Sequence, residues 1–579
     1  MRIKLLLSSC ILLATLTGNA QDRPGYMILG KSDSFADQVV LANTIYEISY
    51  DFDLNGASIT VPDSCVLKFN GGSLKNGVLI GADTRIDYDG AIFSDITISG
   101  TWDIPEIRST MFSDCEQNNK IKNLFALTNA AMENTVVVEQ GNYRISVSAA
   151  NQSVISLNNN TNVILNGTIT LDANGYDAYK IIQINGCSNI TVSGSGSIVG
   201  DRDTHTGVTG EYGHGINIAG SRNICINGLS ISKCWGDGIY VGPGNINYDI
   251  RIEGCEIYDC RRQGISLAYS SRVEIVNCYI HDISGTNPQS CIDIEPNAQG
   301  DQHVELCRIS NCRFVSVNDC IHVTSFSADN PSSDITIDGC YIESTAGFAV
   351  FVNYYGKNVN INNCSIIGNV YNYERIVSRD NPTVSYSSNT ITTNYMYNQY
   401  ARFVNNKITT VGNGILRGSF RDNYIIINLD ANEKVCFRGI PILVNNRIQV
   451  VYTGDNYDAF FEFAGNNLLA GEFEGNTIMF PTDGLELVCS KFSESVTQDW
   501  VKRNIKDVML RSRNSSNCTL LHVDGNIKLS TKSNLPVVSG SLYRTYSPVI
   551  GEKLFDTAAG KEIIYNGTYW VDAAGNVIN

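Results

Sequence analysis

Two short apolar phrases alternate along the chain between about residues 215 and 480. One reads Gly215-Ile-Asn-Ile, Gly238-Ile-Tyr-Val, Gly264-Ile-Ser-Leu, Cys291-Ile-Asp-Ile, Cys320-Ile-His-Val and Ala349-Val-Phe-Val. Its starts are 23, 26, 27, 29 and 29 residues apart. The other runs in step: Ile226-Asn-Gly-Leu-Ser-Ile231, Ile252-Glu-Gly-Cys-Glu-Ile257, Ile275-Val-Asn-Cys-Tyr-Ile280, Ile309-Ser-Asn-Cys-Arg-Phe314, Ile337-Asp-Gly-Cys-Tyr-Ile342 and Ile361-Asn-Asn-Cys-Ser-Ile366. Apolar and polar residues alternate at period 2, which predicts strands with one face in and one face out. The near-constant interval predicts a solenoid.

The second phrase carries a column of Gly228, Gly254, Asn277, Asn311, Gly339 and Asn363. Glycine and asparagine tolerate a left-handed backbone, so the column predicts one tight turn per rung. Short strands, one such bend per rung and rungs of this length together predict an all-β, single-stranded parallel β-helix, with strands stacked about 4.8 Å apart. Further on the rungs shorten. The turn is expected to continue at Asn389, Asn406, Asn423, Asn446, Asn467 and Asn476, each followed two residues later by Ile or Leu.

The same patterning divides the chain. Residues 1–20 carry Arg2 and Lys4, an apolar run and small residues ending at Ala20, which reads as a cleaved secretory signal. Leu7-Ser-Ser-Cys10 resembles a lipoprotein box, but the apolar run continues past Cys10. Residues 21–114 are expected to form a β-rich cap, and 115–480 the β-helix, opening with a short helix and a strand over 121–145. Residues 481–540 read as an irregular connector, and 541–579 as a small β module with Tyr569 and Trp570 exposed. No later apolar stretch is long enough to span a bilayer. The location expected is secreted, periplasmic or cell-surface.

Eighteen cysteines in a secreted chain would ordinarily suggest disulfides. Here Cys255, Cys278, Cys312, Cys340 and Cys364 fill one repeated column. Stacked neighbours about 4.8 Å apart with parallel side chains do not meet disulfide geometry, so buried free thiols are expected. No Cys-x-x-Cys pair supplies a zinc site, and no metal ligand is assigned. The net charge is −16, from 42 basic and 58 acidic residues, which disfavours a nucleic-acid partner.

The outward positions of the first phrase hold the candidate chemistry. The third positions are Asn217, Tyr240, Ser266, Asp293, His322 and Phe351; Glu295 is the fifth position of the Asp293 strand. Asp293 and Glu295 should lie about 7 Å apart along one strand, with His322 about 5 Å away on the next rung. Two carboxylates at such spacing suit glycoside hydrolysis, one as the acid and one as base or nucleophile. Catalytic roles are therefore assigned to Asp293, Glu295 and His322. Substrate contacts are assigned to Asp237, Arg262, Asp319, Tyr240 and Trp235, the arginine for a carboxylate or sulfate and the rings for sugar faces. Asp237 and Asp319 share a column at about 14 Å, too far apart to act on one bond alone.

A resemblance adds to this reading. The segment Asn123-Leu-Phe-Ala-Leu-Thr-Asn-Ala-Ala-Met132, running into Val136-Val-Val138, looks like the opening of the pectate-lyase-like superfamily of right-handed β-helices. Arg262-Gln-Gly-Ile-Ser-Leu267 and Gly285-Thr-Asn-Pro-Gln-Ser-Cys-Ile-Asp-Ile-Glu-Pro-Asn297 resemble a rung pair of secreted Bacteroides-type β-helix proteins. The resemblance implies a right-handed coil over roughly 115–480 and a polysaccharide as the partner. The polygalacturonase branch has Asn-x-Asp, Asp-Asp and Gly-His-Gly on successive rungs. This chain offers Trp235-Gly-Asp-Gly238 and Asn318-Asp-Cys-Ile321, with Gln263 where a histidine would stand. Three functions are thereby in view: a glycoside hydrolase, which needs no cofactor; a lyase or epimerase on a uronate polymer, with His322 as base, Arg262 on the carboxylate and calcium as cofactor; and a non-catalytic glycan-binding adhesin.

Overall fold

The computed structural model describes residues 24–131, 134–242, 244–297, 301–374 and 383–430, shorter stretches between 435 and 538, and 553–578 apart from 557. The signal segment, Cys10 and Asn467 lie outside the described residues. The chain divides into two units. The first comprises Met1–Pro105, Thr110–Asp114 and Ala130–Met132; the second holds Glu106–Ser109, Cys115–Asn129 and Glu133–Asn579.

The first unit is itself a parallel sheet. Gly25–Ile28 pairs with Thr44–Ile48, which pairs with Val66–Phe69; Leu74–Asp87 and Phe93–Asp103 continue it. Its interior is apolar, with Tyr46, Leu67, Leu79, Ile96 and Trp102 almost fully buried.

In the second unit, helix Ile121–Ala130 turns Ile121, Leu124, Phe125 and Leu127 into the interior. Strands Asn134–Val138 and Asn142–Ile145 follow. From there to Tyr341–Tyr354, successive strands pair in parallel mostly with the third strand along, so three strands make one turn. This is a parallel β-helix with three sheet faces.

The face that matters for function is built from β1 (Tyr212–Ala219), β2 (Ile239–Gly242), β3 (Gln263–Leu267), β4 (Ser290–Ile294), β5 (Ile321–Ser325), β6 (Tyr341–Tyr354), β7 (Ser365–Glu374) and β8 (Thr390–Val404). Its register confirms the alternation. Ile216, Ile239, Ile265, Ile292, Ile321 and Val350 are successive partners facing inward, each fully buried. The intervening column runs Asn217, Tyr240, Ser266, Asp293, His322, Phe351, Tyr371 and Tyr397.

The turn column has the expected backbone: φ is 59° at Gly254, 54° at Asn277 and 53° at Asn363. Beyond Asn363 the reading shifts by one residue. The left-handed positions are Ser388, Asn405, Asp422 and Asn445, not the asparagines that follow them. Asn389, Asn406, Asn423, Asn446 and Asn476 instead take over the inward cysteine column. The Asn389 backbone N–H donates to Asn406 Oδ1 at 2.8 Å, Asn406 to Asn423 at 2.9 Å and Asn423 to Asn446 at 3.0 Å. Asparagine suits both places, because it tolerates the left-handed region and can satisfy a buried backbone. The pattern alone could not separate the two. The described cysteines are free thiols, and the ladder members are buried.

At the C-terminus, Lys553–Asp556, Lys561–Tyr565 and Trp570–Asp572 form an antiparallel meander. Tyr569 is exposed as expected. Trp570 is not: it is 8% exposed and packs with Leu554 and Ile563, the apolar centre of a very small sheet.

Candidate active site

The three residues assigned to catalysis come together. Asp293 and His322 are register partners on β4 and β5. His322 Nδ1 lies 3.3 Å from Asp293 Oδ1. One donor atom from each of Asp293, Glu295 and His322 falls within 4.8 Å of the others.

The site is deeper than an outward column suggests. Asp293 is 3% exposed, and Ser266 4%. Glu295 and His322 are partly exposed and are the groups a ligand meets first. Below them lies a sealed network. The Gln263 amide Nε2 donates to Asp293 Oδ2, and its Oε1 accepts from Arg262 Nη1 and from Ser266 Oγ. Both ends of the amide are thus committed, which orients it. Ser266 Oγ also lies 2.9 Å from Asp237 Oδ2. Arg262 Nη1 lies 3.4 Å from both Asp237 oxygens, and its Nε lies 3.3 Å from Glu211.

These surroundings set the protonation of the site. Burial, and then the nearby Asp293 charge, push Glu295 up to about 7. Asp237 is likewise pushed up to about 7 by burial, with Arg262 and Ser266 pulling against it. Burial works to strip His322 of its proton, but Asp293, Asp319 and Glu295 overcome it and raise the ring above its ordinary value. Asp319 is raised by burial and accepts the Phe348 N–H at 2.7 Å.

Several residues assigned to substrate contact have other work. Asp237 is 0% exposed and is the buried counter-charge of Arg262. Arg262 is committed to Asp237, Gln263 and Glu211 rather than open to an anionic ligand. The Trp235 ring is packed by His205, 3.9 Å away and stacked, and by the Arg261 guanidinium at 3.9 Å. Its indole N–H donates to Thr209 O at 3.0 Å. Trp235 is therefore a packed wall, not an open platform. Tyr240 stacks on His214 at 4.7 Å and keeps partial exposure. Phe351 is covered by Tyr371, stacked at 5.0 Å, so its face is not free for a sugar.

Sequence reasoning passed over His214, Ser290 and the positioning part played by Gln263. His214 is buried behind Asp237, whose backbone N–H donates to His214 Nδ1 at 3.2 Å. Burial, then Arg262 and Lys180, lower it to about 3, so the ring is neutral. The signal was present. His214, Asp237, Gln263, Ser290 and Asp319 all stand one residue before the first phrase, in one column of the register.

A family described as "Right handed beta helix region" matches residues 134–299 and 214–394. The matched stretch is a right-handed parallel β-helix. Among curated relatives, the chain is 36% identical over 194 residues to the uncharacterized protein YclG of Bacillus subtilis (strain 168), covering 30% of this chain and 32% of that protein. It is 29% identical over 272 residues to the SPbeta prophage-derived uncharacterized protein YorA of the same bacterium, covering 38% of this chain and 46% of that one. The chain thus spans less than half the length of the curated relatives it matches. Among solved structures, the A-module of Azotobacter vinelandii mannuronan C-5 epimerase AlgE6 is 14% identical, with TM-score 0.39, over 62% of this chain and 94% of that one. No helix among the described residues is long and apolar enough to cross a membrane.

Proposed function

We propose that this β-helix is a glycoside hydrolase whose reaction centre is Glu295 and Asp293, with His322 beside them. The observation that carries the reading is the convergence of their donor atoms within 4.8 Å in a partly open recess. Glu295, held near 7, has a proton to give a leaving oxygen at neutral pH. Asp293 is the second carboxylate. Its Oδ2 is occupied by Gln263, and its Oδ1, buried but without a hydrogen bond, is the oxygen left to react once a ligand opens the recess. The close spacing suits the retaining course, whose carboxyl groups lie about 5–5.5 Å apart, rather than the inverting one at about 6.5–9.5 Å.

The lyase or epimerase alternative needs a free cation for the uronate carboxylate and an unprotonated base. Arg262 is already paired, and His322 is raised rather than lowered. Both count against it.

The test is incubation of the full chain with plant, host and algal glycans, read by mass spectrometry and proton NMR. Gain of one water per cut with retained anomeric configuration is expected. Glu295→Gln and Asp293→Asn should each lower turnover by about 10²–10⁴-fold. Unsaturated products would establish the lyase instead. Glycan bound but intact would establish the adhesin.

A further inference from the structure

Asp293 and His322 present an arrangement that hydrolysis alone does not account for. Asp293 Oδ1 and His322 Nδ1 are both buried and lack a hydrogen-bond partner, although they face each other at 3.3 Å. The Asp293 side chain is 4% exposed. A buried polar atom without a hydrogen bond is costly and calls for a partner such as a bound water or ion, and these two atoms, an ion pair that makes no hydrogen bond, leave room for one.

The remaining atoms of these side chains are held from behind. Gln263 donates to the other Asp293 oxygen. His322 Nε2 lies 3.1 Å from Thr324 Oγ1. This is how metal-ligating side chains are usually oriented: the far atom is fixed by a neighbour, and the near atom is left free. A separation of 3.3 Å also fits two adjacent ligands around a cation with bonds of about 2.0–2.2 Å. Glu295 completes a set of one nitrogen and two carboxylates.

We propose that Asp293, Glu295 and His322 bind a first-row divalent cation, and that its binding blocks hydrolysis by occupying both carboxylates. The imidazole nitrogen favours manganese, iron or zinc over calcium, which prefers an all-oxygen cage. Cation binding stands independently of the hydrolase reading; the inhibition rests on it.

Manganese is the probe, because zinc would also seek the thiols. Free Mn²⁺ is followed by its electron paramagnetic resonance during titration of the full chain, with Ca²⁺ as competitor. A single site is expected, displaced poorly by Ca²⁺. His322→Ala should abolish it, and Thr324→Val should weaken it by about 10–100-fold, each variant first checked for wild-type thermal unfolding. Mn²⁺ binding that is absent in the wild type, unchanged in His322→Ala, or readily displaced by Ca²⁺ overturns the proposal. If variant His322→Ala fails to unfold like the wild type, Thr324→Val decides. A hydrolytic activity that Mn²⁺ does not inhibit overturns the blocking role. Mn²⁺ bound without hydrolysis of any glycan overturns the hydrolase reading and leaves the cation site standing.

Discussion

The inward column next to the turn is filled by cysteine from Cys255 to Cys364 and by asparagine from Asn389 to Asn476, and the two halves do the same job differently. Each cysteine thiol points at a carbonyl of the preceding rung: Cys312 Sγ to Ile275 O at 3.6 Å, Cys340 Sγ to Ile309 O at 3.9 Å. Each asparagine makes that bond at ordinary length: Asn389 Nδ2 to Ile361 O at 2.9 Å, Asn406 Nδ2 to Tyr386 O at 3.0 Å. Each asparagine oxygen also accepts the backbone N–H of the preceding ladder residue, as Asn406 Oδ1 does from Asn389 at 2.8 Å, where cysteine sulfur accepts it at greater length, as Cys312 Sγ does from Cys278 at 3.4 Å. The shortest rungs fall in the asparagine half, though its later spacings, 23 and 30 residues, match those of the cysteine half. Asn389, Asn406 and Asn423 are 17 residues apart, whereas Cys278 and Cys312 are 34 apart. Long rungs carry the segments that supply Glu211, Arg261 and Arg262. The site occurs where the coil gives up repetition, in loops and in side chains alike.

The largest effect on stability should come from Arg262, in the long-rung half. Arg262→Ala leaves Asp237 buried without its counter-charge, at a cost of about 3–5 kcal/mol in urea unfolding at pH 8. The sign with pH follows from Asp237 itself. Burial raises it from 3.8 to about 7, so the folded state holds its proton more firmly than the unfolded state. That contribution is full below about pH 4 and is lost as pH rises through about 7. The damage in Arg262→Ala should therefore shrink on going from pH 8 to pH 5. In Asp237→Asn the wild-type decline between those values should flatten. A pH-independent loss in Arg262→Ala would mean that Asp237 is not the group left exposed to the penalty.

The asparagine half should be the more brittle of the two ladders. Asn406→Ala deprives the Asn389 N–H of its acceptor and the Tyr386 carbonyl of a donor, for a loss of about 1–3 kcal/mol. Cys340→Ala removes a sulfur and two long, weak bonds, to Ile309 O and Asp338 O, and about 1 kcal/mol is expected. Equal losses in thermal or urea unfolding would break the comparison between the halves.

The same contrast explains what the sequence disclosed. The strands and the first six turns were legible because the coil repeats them, and their residue types follow from backbone geometry. Asp293, Glu295 and His322 were legible because the register of two strands is enough to bring them together. The shift at Ser388 was not, since asparagine serves equally as a turn residue and as a ladder residue. The contacts of Trp235, Arg262 and Asp237 were not legible, for another reason. Their environment is made by loop segments such as 201–211, whose placement no strand periodicity encodes. His214 had the right column position but no neighbour in sequence to mark it.

The smallest effect tests whether the ladder ends where the site begins. Past His322 the outward column becomes aromatic: Phe351, Tyr371 and Tyr397 stack at 5.0 and 5.5 Å. His322 itself packs on Phe351 at 4.5 Å, with the rings tilted by 55°. Tyr371 lies beyond Phe351, one rung further from the reaction centre. If the column past Phe351 is a structural ladder, Tyr371→Leu should lose only its ring pairs, about 0.5–1.5 kcal/mol in thermal unfolding, because leucine preserves most of the apolar contact. Turnover of a cleaved glycan and Mn²⁺ affinity should both stay within a few-fold of the wild type. A larger fall in turnover with little change in stability would place Tyr371 in contact with substrate, and the boundary between repetition and site would move at least one rung towards the C-terminus.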